Sequence, residues 1–74
     1  MKRTSALKTH SGRGQREDWS RLIGRTVEVW LEGQLVATGE VEQATADDSV
    51  LWLAPWGVQR RKLYDKWGGY SVWA

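Results

Sequence analysis

The chain has 74 residues, enough for one small domain, and contains six Trp, two Tyr, one Pro and no Cys. The absence of Cys excludes a disulfide framework, a thiolate zinc site and a cysteine nucleophile. The formal net charge of +2 is unevenly distributed, because residues 1–16 carry five Lys/Arg and no acidic residue, whereas residues 17–74 carry six Lys/Arg and nine Asp/Glu. The composition predicts a basic tail joined to a mildly acidic, tryptophan-rich body.

Residues 1–16 show neither helical nor strand periodicity and are rich in Ser, Thr, Gly and cations. They carry too little apolar surface to offset the entropy of ordering, so we expect a flexible basic arm followed by a domain over residues 17–74. The longest apolar run, residues 50–54, is far shorter than the roughly 18–20 residues of a membrane span. No apolar stretch follows the basic N-terminus, so the sequence predicts no secretory signal and a cytoplasmic protein.

The first predicted element of the body is a short helix. The apolar residues Trp19, Leu22 and Ile23 recur on one helical face. They lie between Asp18, a candidate N-cap, and Gly24, a candidate left-handed terminator. This spacing predicts a short helix that ends before the first strand.

Alternation of apolar and polar residues then predicts two strands. Residues 26–31 place Val and Leu on one face, and residues 35–42 do the same after a turn at residues 32–34. Gly39 lies in the middle of the second strand, where a glycine favours a bulge or a sharp bend. We therefore expect a hairpin whose second strand is irregular.

The C-terminal half predicts three more strands, over residues 50–54, 58–61 and 70–73. Residues 62–67 are too short and irregular for a full helix and indicate a single helical turn before the last strand. Short connections favour antiparallel neighbours, and a bent sheet that closes on itself leaves no exposed edge. The sequence thus predicts an all-β fold, a small five-stranded barrel with a short N-terminal helix.

A set of apolar residues and glycines has the spacing of a known motif. Its members are Leu22, Gly24, Val27, Val29, Leu31, Gly33, Gly39 and Val41. In the first Sm motif, a helix precedes alternating apolar residues, a glycine turn and a second glycine in the next strand. Over about residues 19–53 the chain therefore resembles the Src-homology-3-like and Sm-like small barrels. The helical turn before the last strand is similar to the Src-homology-3-like version.

The resemblance does not extend to the ligand sites of these families. Sm-like RNA binders carry an Asp and a pocket Asn in the loop after the second strand, and an Arg-Gly pair before the fifth. This chain has no Asn, and its residues 43–48 do not supply that pocket. The ligand motif of Src-homology-3 domains that bind polyproline is not recognisable either. The resemblance implies a barrel fold without implying a site.

The tryptophans exceed what a small barrel can enclose. Strand parity already fills its interior with Val27, Val29, Leu31, Leu35, Ala37, Val41, Leu51, Leu53, Val58, Leu63 and Val72. Trp30 and Trp52 then face outward, although reversed parity in the third strand would bury Trp52. Trp19 and Trp73 are expected to cover the barrel ends.

The strongest candidate binding surface combines aromatic side chains with cations. Its predicted members are Trp56, Arg60, Arg61, Lys62, Tyr64 and Trp67. Guanidinium groups contact phosphates while aromatic faces stack on bases, and exposed indoles are typical of protein contact surfaces. The outer face around Trp30 and Trp52 is a second candidate. The alternative for these residues is a solvated strand and turn, with indoles that cover the barrel ends.

Catalysis has no suitable constellation of residues. His10 is the only His and lies in the predicted arm, so no Ser-His-Asp arrangement or His metal site can be assembled. Asp47 and Asp48 are typical of a turn rather than of a metal clamp. Residues 12–14 lack the strand and helix context of a phosphate loop. The sequence predicts no enzyme, no cofactor and no metal.

Three functions remain open from the sequence. The leading hypothesis is a non-enzymatic module that binds a protein partner, because the outward glutamates Glu28, Glu40 and Glu42 would repel a phosphate backbone. The second hypothesis is a nucleic-acid-binding barrel, whose phosphate contacts would come from Lys2, Arg3, Lys8, Arg13 and Arg16 of the arm and from Arg60, Arg61 and Lys62. The third is a structural homo-oligomer that buries the outward tryptophans. No membrane partner is expected.

Overall fold

The structure, a computed structural model, describes residues 12–55 and 60–74. These residues form one antiparallel sheet in the order β1-β6-β2-β3-β4-β5, so the all-β prediction is confirmed. None of the helices in this part of the chain is long and apolar enough to cross a membrane. The elements are β1 (Gln15–Arg16), a 3₁₀ helix (Trp19–Arg21), β2 (Thr26–Leu31), β3 (Gln34–Ala44), β4 (Val50–Leu53), β5 (Lys62–Asp65) and β6 (Tyr70–Trp73).

The sheet does not form the predicted closed barrel of five strands. It has six strands, and no pairing joins the end strands β1 and β5 among the residues that are described. Gln15 and Arg16 of β1 pair with Trp73 and Val72 of β6, so the sheet begins inside the segment assigned to the arm. Residues 12–14 of that segment are described as well, and residues 1–11 lie outside the described residues.

β3 is divided between two partner strands. Residues 34–40 pair with β2, and residues 41–44 pair with β4. The register shifts once in each half, which leaves Val36 and Glu42 as extra, bulged residues. Of the bulge or sharp bend predicted at Gly39, the bulge is wrong, because Gly39 stays in register with β2 and the bulged residues lie on either side of it.

The strand that follows β4 lies later in the chain than predicted. β5 occupies residues for which the sequence pattern indicates a helical turn, while Arg60 and Arg61 precede the strand and Val58 lies outside the described residues. Pairing with β4 sets Tyr64 opposite the buried Leu51. The predicted helical turn over these residues is therefore wrong, because they are extended and pair with β4.

The core consists of a small set of apolar side chains on the inner faces of the strands and in the 3₁₀ helix. Leu51 and Leu53 are buried and Trp52 between them is half-buried, so the predicted parity of β4 is confirmed. Leu35 and Leu63, which were expected inside, are 49% and 52% exposed, because the bulge in β3 and the register of β5 direct them outward. The buried residues are Trp19, Leu22, Val27, Val29, Val41, Leu51, Leu53, Tyr64 and Val72.

The 3₁₀ helix contributes Trp19 to the core, with 1% of its surface exposed, whereas Ile23 is 50% exposed and does not share the predicted buried face. Asp18 makes no side-chain cap; its carboxylate instead accepts two hydrogen bonds from the guanidinium of Arg16, at 2.8 and 2.7 Å. Gly24 has a φ of 87°, in agreement with its predicted role as a left-handed terminator.

Candidate functional site

The residues of the predicted binding surface do not form one surface. Trp56 lies outside the described residues. Tyr64 is 8% exposed and packs edge-to-face on Tyr70, with ring centroids 5.0 Å apart. Trp67 is 79% exposed in the turn between β5 and β6. The three consecutive cations at residues 60–62 also lie in different surroundings, because Arg61 contacts Trp52 and Glu42 whereas its two neighbours line a groove.

Arg61 lies against residues of β3 and β4. Its guanidinium carbon lies 5.3 Å from the ring centroid of Trp52, and its Nε lies 2.7 Å from Oε1 of Glu42. Both charged side chains are close to half exposed, so the ion pair contributes at most about 1 kcal/mol to stability. This guanidinium already has an internal carboxylate and an internal aromatic partner.

Arg60 and Lys62 instead border a groove beneath the N-terminal half of β3, here called the β3 groove. Its volume is about 680 Å³, and a continuation of about 410 Å³ extends past Lys62 and Tyr64 toward Leu63 and Tyr70. The groove therefore combines an apolar floor with a polar and charged rim. Its lining consists of Thr26, Val36, Ala37, Thr38, Gly39, Glu40, Leu53, Ala54, Arg60, Lys62 and Tyr64.

The β3 groove begins where the described ladder between β3 and β4 ends. Among the described residues, the last hydrogen bond of that ladder runs from the N–H of Ala54 to the carbonyl of Glu40, at 2.9 Å. The N-terminal half of β3 pairs with β2, and its residues 36–40 line the groove.

Thr38 directs its backbone polar groups into this groove. The N–H and C=O of Val41 both bond to the segment just before β2, whereas the carbonyl of Glu40 bonds on the opposite side, to Ala54. Successive residues of a strand alternate between its two edges, so Thr38 shares the orientation of Glu40. No strand within residues 12–55 and 60–74 pairs with this edge.

The charge balance of the groove is positive. Among the described residues, Arg60 and Lys62 have no ion-pair partner, and Glu40 is the acidic residue of the lining. Burial of the Tyr64 ring raises the pKa of its hydroxyl, with a smaller contribution from Tyr70. Tyr64 thus remains a neutral hydroxyl beside two cations at physiological pH.

Trp67 projects from a turn that several hydrogen bonds hold. The carboxylate of Asp65 accepts a hydrogen bond from the N–H of Gly68 at 2.6 Å, and the N–H of Gly69 donates to the carbonyl of Lys66 at 3.1 Å. The N–H of Lys66 also donates to the carbonyl of Ser49 at 3.0 Å. This indole is an exposed aromatic group on an ordered turn, outside the β3 groove.

Trp30 and Trp52, the predicted second surface, lie on strands that are not neighbours in the sheet. Trp30 instead shares its face of the sheet with Trp73 of β6. In the pairing of β2 with β6, Trp30 lies opposite Ser71, and Glu28, two residues earlier in β2, lies opposite Trp73. The indole N–H of Trp30 donates to Glu28 at 3.0 Å, and that of Trp73 donates to Ser71 at 3.1 Å. The sequence missed this pair because it depends on the long-range pairing of β2 with β6.

The predicted phosphate contacts of the arm are only partly described. Lys2, Arg3 and Lys8 lie outside the described residues, and Arg16 is engaged by Asp18. No group of His, Cys, Asp or Glu that could hold a metal ion occurs in the described part of the chain. Asp47 and Asp48 accept hydrogen bonds within and beside their turn.

Sequence reasoning missed Val36 and Thr38 as site residues, because their place in the groove depends on the fold bringing β3 close to Arg60 and Lys62. No protein-family model, curated protein or solved structure matches the chain. The β3 groove and the exposed aromatic groups are therefore the basis for the function proposed below.

Proposed function

We propose that this protein is a non-enzymatic protein-interaction module that holds an extended segment of a partner protein in the β3 groove. The observation that carries the proposal is the groove itself, which joins the half-exposed Val36 to the cations Arg60 and Lys62 at its rim. In such a groove, alternate side chains of an extended segment supply specificity through the apolar floor.

Val36 is the part of the floor with most to gain from a partner. It is 45% exposed, and it lines both the groove and its continuation. Burying an aliphatic side chain of this size contributes about 1.5–3 kcal/mol relative to full exposure. Because only about half of the Val36 side chain is exposed, a partner that covers it gains about half of this burial free energy. This gain offsets part of the entropic cost of association.

The nucleic-acid alternative has weaker support. Arg61 is engaged by Glu42 and Trp52, and Arg16 by Asp18, which removes two of the predicted phosphate contacts. The ring of Tyr64 packs in the core and offers little surface for a base to stack on. Arg60 and Lys62 remain as cations that could bind phosphate, and titration with a single-stranded oligonucleotide tests this alternative.

The homo-oligomer alternative would bury the outer face that carries Trp30 and Trp73. Both indoles are half-buried, and both N–H groups already have partners within the chain. Light scattering distinguishes this alternative, because a monomer at high concentration contradicts it.

We also propose that the sheet is an incomplete barrel of the Src-homology-3-like or Sm-like kind. The support is the continuous antiparallel order β6-β2-β3-β4-β5, with β3 shared between β2 and β4. The β3 groove lies along the N-terminal half of β3, before the residues that pair with β4.

The groove is tested by a matched pair of substitutions on β3. Val36 and Leu35 are adjacent apolar residues of similar exposure, but only Val36 lines the groove. Peptides selected from a displayed library against the full chain should bind Val36→Ser about tenfold more weakly and Leu35→Ser with unchanged affinity. A library that yields no binding peptide, or peptides that bind both variants as they bind the parent chain, would contradict the proposed function.

A further inference from the structure

We infer that two copies of this chain associate by antiparallel pairing of their β5 strands, with Leu63 of each copy at the centre of the contact. The inference goes beyond the proposed function and does not depend on it. Two independent features of β5 carry it, the direction of its backbone groups and the order of charges on its outer face.

The pairing of β5 with β4 fixes which backbone groups of β5 are free. The N–H of Lys66 donates to the carbonyl of Ser49 at 3.0 Å, so Lys66 directs its backbone groups toward β4. Successive residues of a strand alternate between its two edges, and Tyr64 therefore shares this direction. Leu63 and Asp65 direct their N–H and C=O groups the other way, to the free edge of β5.

This edge has no partner strand within residues 12–55 and 60–74, where β5 is the last strand of the sheet. The space beside Leu63 is the continuation of the β3 groove, which Val36 and Tyr70 also line. The side chain of Leu63 is 52% exposed. An edge strand with free backbone groups and an exposed aliphatic side chain is a template for a further strand.

The outer face of β5 carries a self-complementary order of side chains. Leu63 lies opposite Trp52, on the face away from the buried Tyr64. Arg61 is on the same face, because its guanidinium carbon lies 5.3 Å from the ring centroid of Trp52. Asp65 follows Leu63 by two residues and shares this face. The order is cation, aliphatic, carboxylate, so a second copy that runs antiparallel sets each cation against a carboxylate.

One register satisfies both the backbone and the charges. With Leu63 opposite Leu63 of the second copy, the two leucines exchange N–H to C=O hydrogen bonds, and Arg61 of each copy lies opposite Asp65 of the other. Of the two neighbouring registers that also match the backbone, one sets Lys62 opposite Lys62 and the other sets Lys62 opposite Lys66. Like charges directly opposite each other are destabilising, so the charges of β5 select the central register.

Both charged groups can reach the second copy while they keep their contacts within the chain. Arg61 uses its Nε on Glu42, at 2.7 Å, which leaves the terminal N–H groups of the guanidinium. One carboxylate oxygen of Asp65 accepts from the N–H of Gly68, and Asp65 has no ion-pair partner in the described part of the chain. Exposed ion pairs add little affinity, so their role here is to select the register, while strand pairing and burial of Leu63 drive association.

Sedimentation velocity of the full chain over a concentration series measures the association. We expect a dimer that weakens as the salt concentration rises, because its two ion pairs lie at the surface. A chain that is still monomeric at about 1 mM would overturn the inference. Species larger than a dimer would overturn it as well, since a contact between identical strands closes with two copies.

Two charge reversals provide the matched test of the register. Arg61→Glu sets carboxylates against each other and Asp65→Arg sets guanidinium groups against each other, so each variant should dimerise about tenfold more weakly. A mixture of the two variants has opposite charges at both positions and should recover the affinity of the parent chain. Arg21→Glu, at an exposed cation outside β5, should dimerise as the parent chain does. Losses that mixing does not restore would overturn the register.

Hydrogen exchange tests the pairing without any substitution. The amide of Leu63 should exchange more slowly as the concentration of the chain rises, and it should slow far more than the amide of Tyr64, which already bonds to β4. A dimer in which Leu63 slows no more than Tyr64 would overturn the inference and assign the contact to another face, such as the one that carries Trp30 and Trp73.

Discussion

The carboxylate of Asp48 accepts a hydrogen bond from the backbone N–H of Ser20, with 2.8 Å between Oδ1 and N. The contact joins the turn between β3 and β4 to the 3₁₀ helix. Asp48 also has a φ of 65°, a left-handed conformation that Asp, Asn and Gly tolerate better than alanine. The contact thus depends on both the side chain and the backbone of one residue.

Substitutions at Asp48 separate these two contributions. Asp48→Gly and Asp48→Ala both remove the acceptor, but only alanine is strained at this φ, so we expect Asp48→Ala to have the lower Tm. Asp48→Asn keeps an acceptor oxygen and tolerates the conformation, so its Tm at neutral pH should be close to that of the parent chain. Thermal unfolding followed by circular dichroism measures the series. Equal Tm values for the alanine and glycine variants would contradict the backbone strain expected for alanine at this φ.

Acid should destabilise the fold through the same turn. The hydrogen bond from Ser20 holds the pKa of Asp48 below its usual value of 3.8, and those from Ser49 and Thr45 do the same for Asp47. Because each pKa is lower in the folded chain, the stabilisation is present above the unfolded value and is lost as the pH falls through the folded value.

We therefore expect Tm to be steady above about pH 5 and to fall progressively below it. A double variant, Asp47→Asn with Asp48→Asn, has no charge to titrate at these positions and should show a shallower decrease. Identical pH profiles for the double variant and the parent chain would show that these carboxylates do not set the acid sensitivity.

Substitution of Trp19 should lower stability strongly, whereas substitution of Trp67 should leave it unchanged. Trp19 is 1% exposed, and its indole N–H donates to the carbonyl of Arg16 at 3.1 Å, while the ammonium of Lys66 lies 5.0 Å from the ring centroid. Trp19→Ala should cost about 3–5 kcal/mol of unfolding free energy. Domains have only about 5–15 kcal/mol in total, so this variant should be largely unfolded or close to it.

Trp67→Ala is the matched control for Trp19→Ala, because 79% of its side chain already lies in solvent. Its urea midpoint should equal that of the parent chain, and Trp19→Phe should fall between the two alanine variants. A large loss of stability in Trp67→Ala would mean that this indole packs against the body.

Two glycines should respond differently to an added methyl group. At Gly68 a Cβ would lie 2.9 Å from Oδ1 of Asp65 and 2.9 Å from Cε2 of Tyr70, so it would displace the carboxylate that holds the turn. At Gly39 the nearest atom, on Leu53, is at an ordinary 3.5 Å. We expect Gly68→Ala to lower Tm and Gly39→Ala to leave it unchanged or slightly raised, as measured by calorimetry. A lower Tm for Gly39→Ala would contradict the ordinary contact inferred at that position.

The periodicity of the sequence was sufficient for the local elements. Alternating apolar residues predicted β2, β4 and β6, and the turn at residues 32–34 contains Glu32 and Gly33 with φ values of 51° and 79°. These features depend on neighbouring residues, on side-chain alternation and on the backbone freedom of glycine, which are properties of a short segment.

The candidate site was only partly predictable. The sequence drew attention to residues 60–62, and two of these three cations do line the groove. It could not separate Arg61 from them, because that depends on the contact of Arg61 with Glu42 and Trp52 across strands. It also assigned Tyr64 to a surface, whereas pairing with β4 places Tyr64 opposite Leu51 in the core.

The sequence by itself determined an all-β body, the positions of most strands, the buried parity of β4 and an excess of tryptophan. The tertiary structure alone decided that β5 is a strand, that β1 joins the sheet and that the outward Trp30 lies beside β6 rather than near Trp52. It also decided that Val36, Thr38, Arg60 and Lys62 line one groove. The physical reason is that strand pairing joins residues far apart in the chain, and no local pattern specifies which of them it brings together.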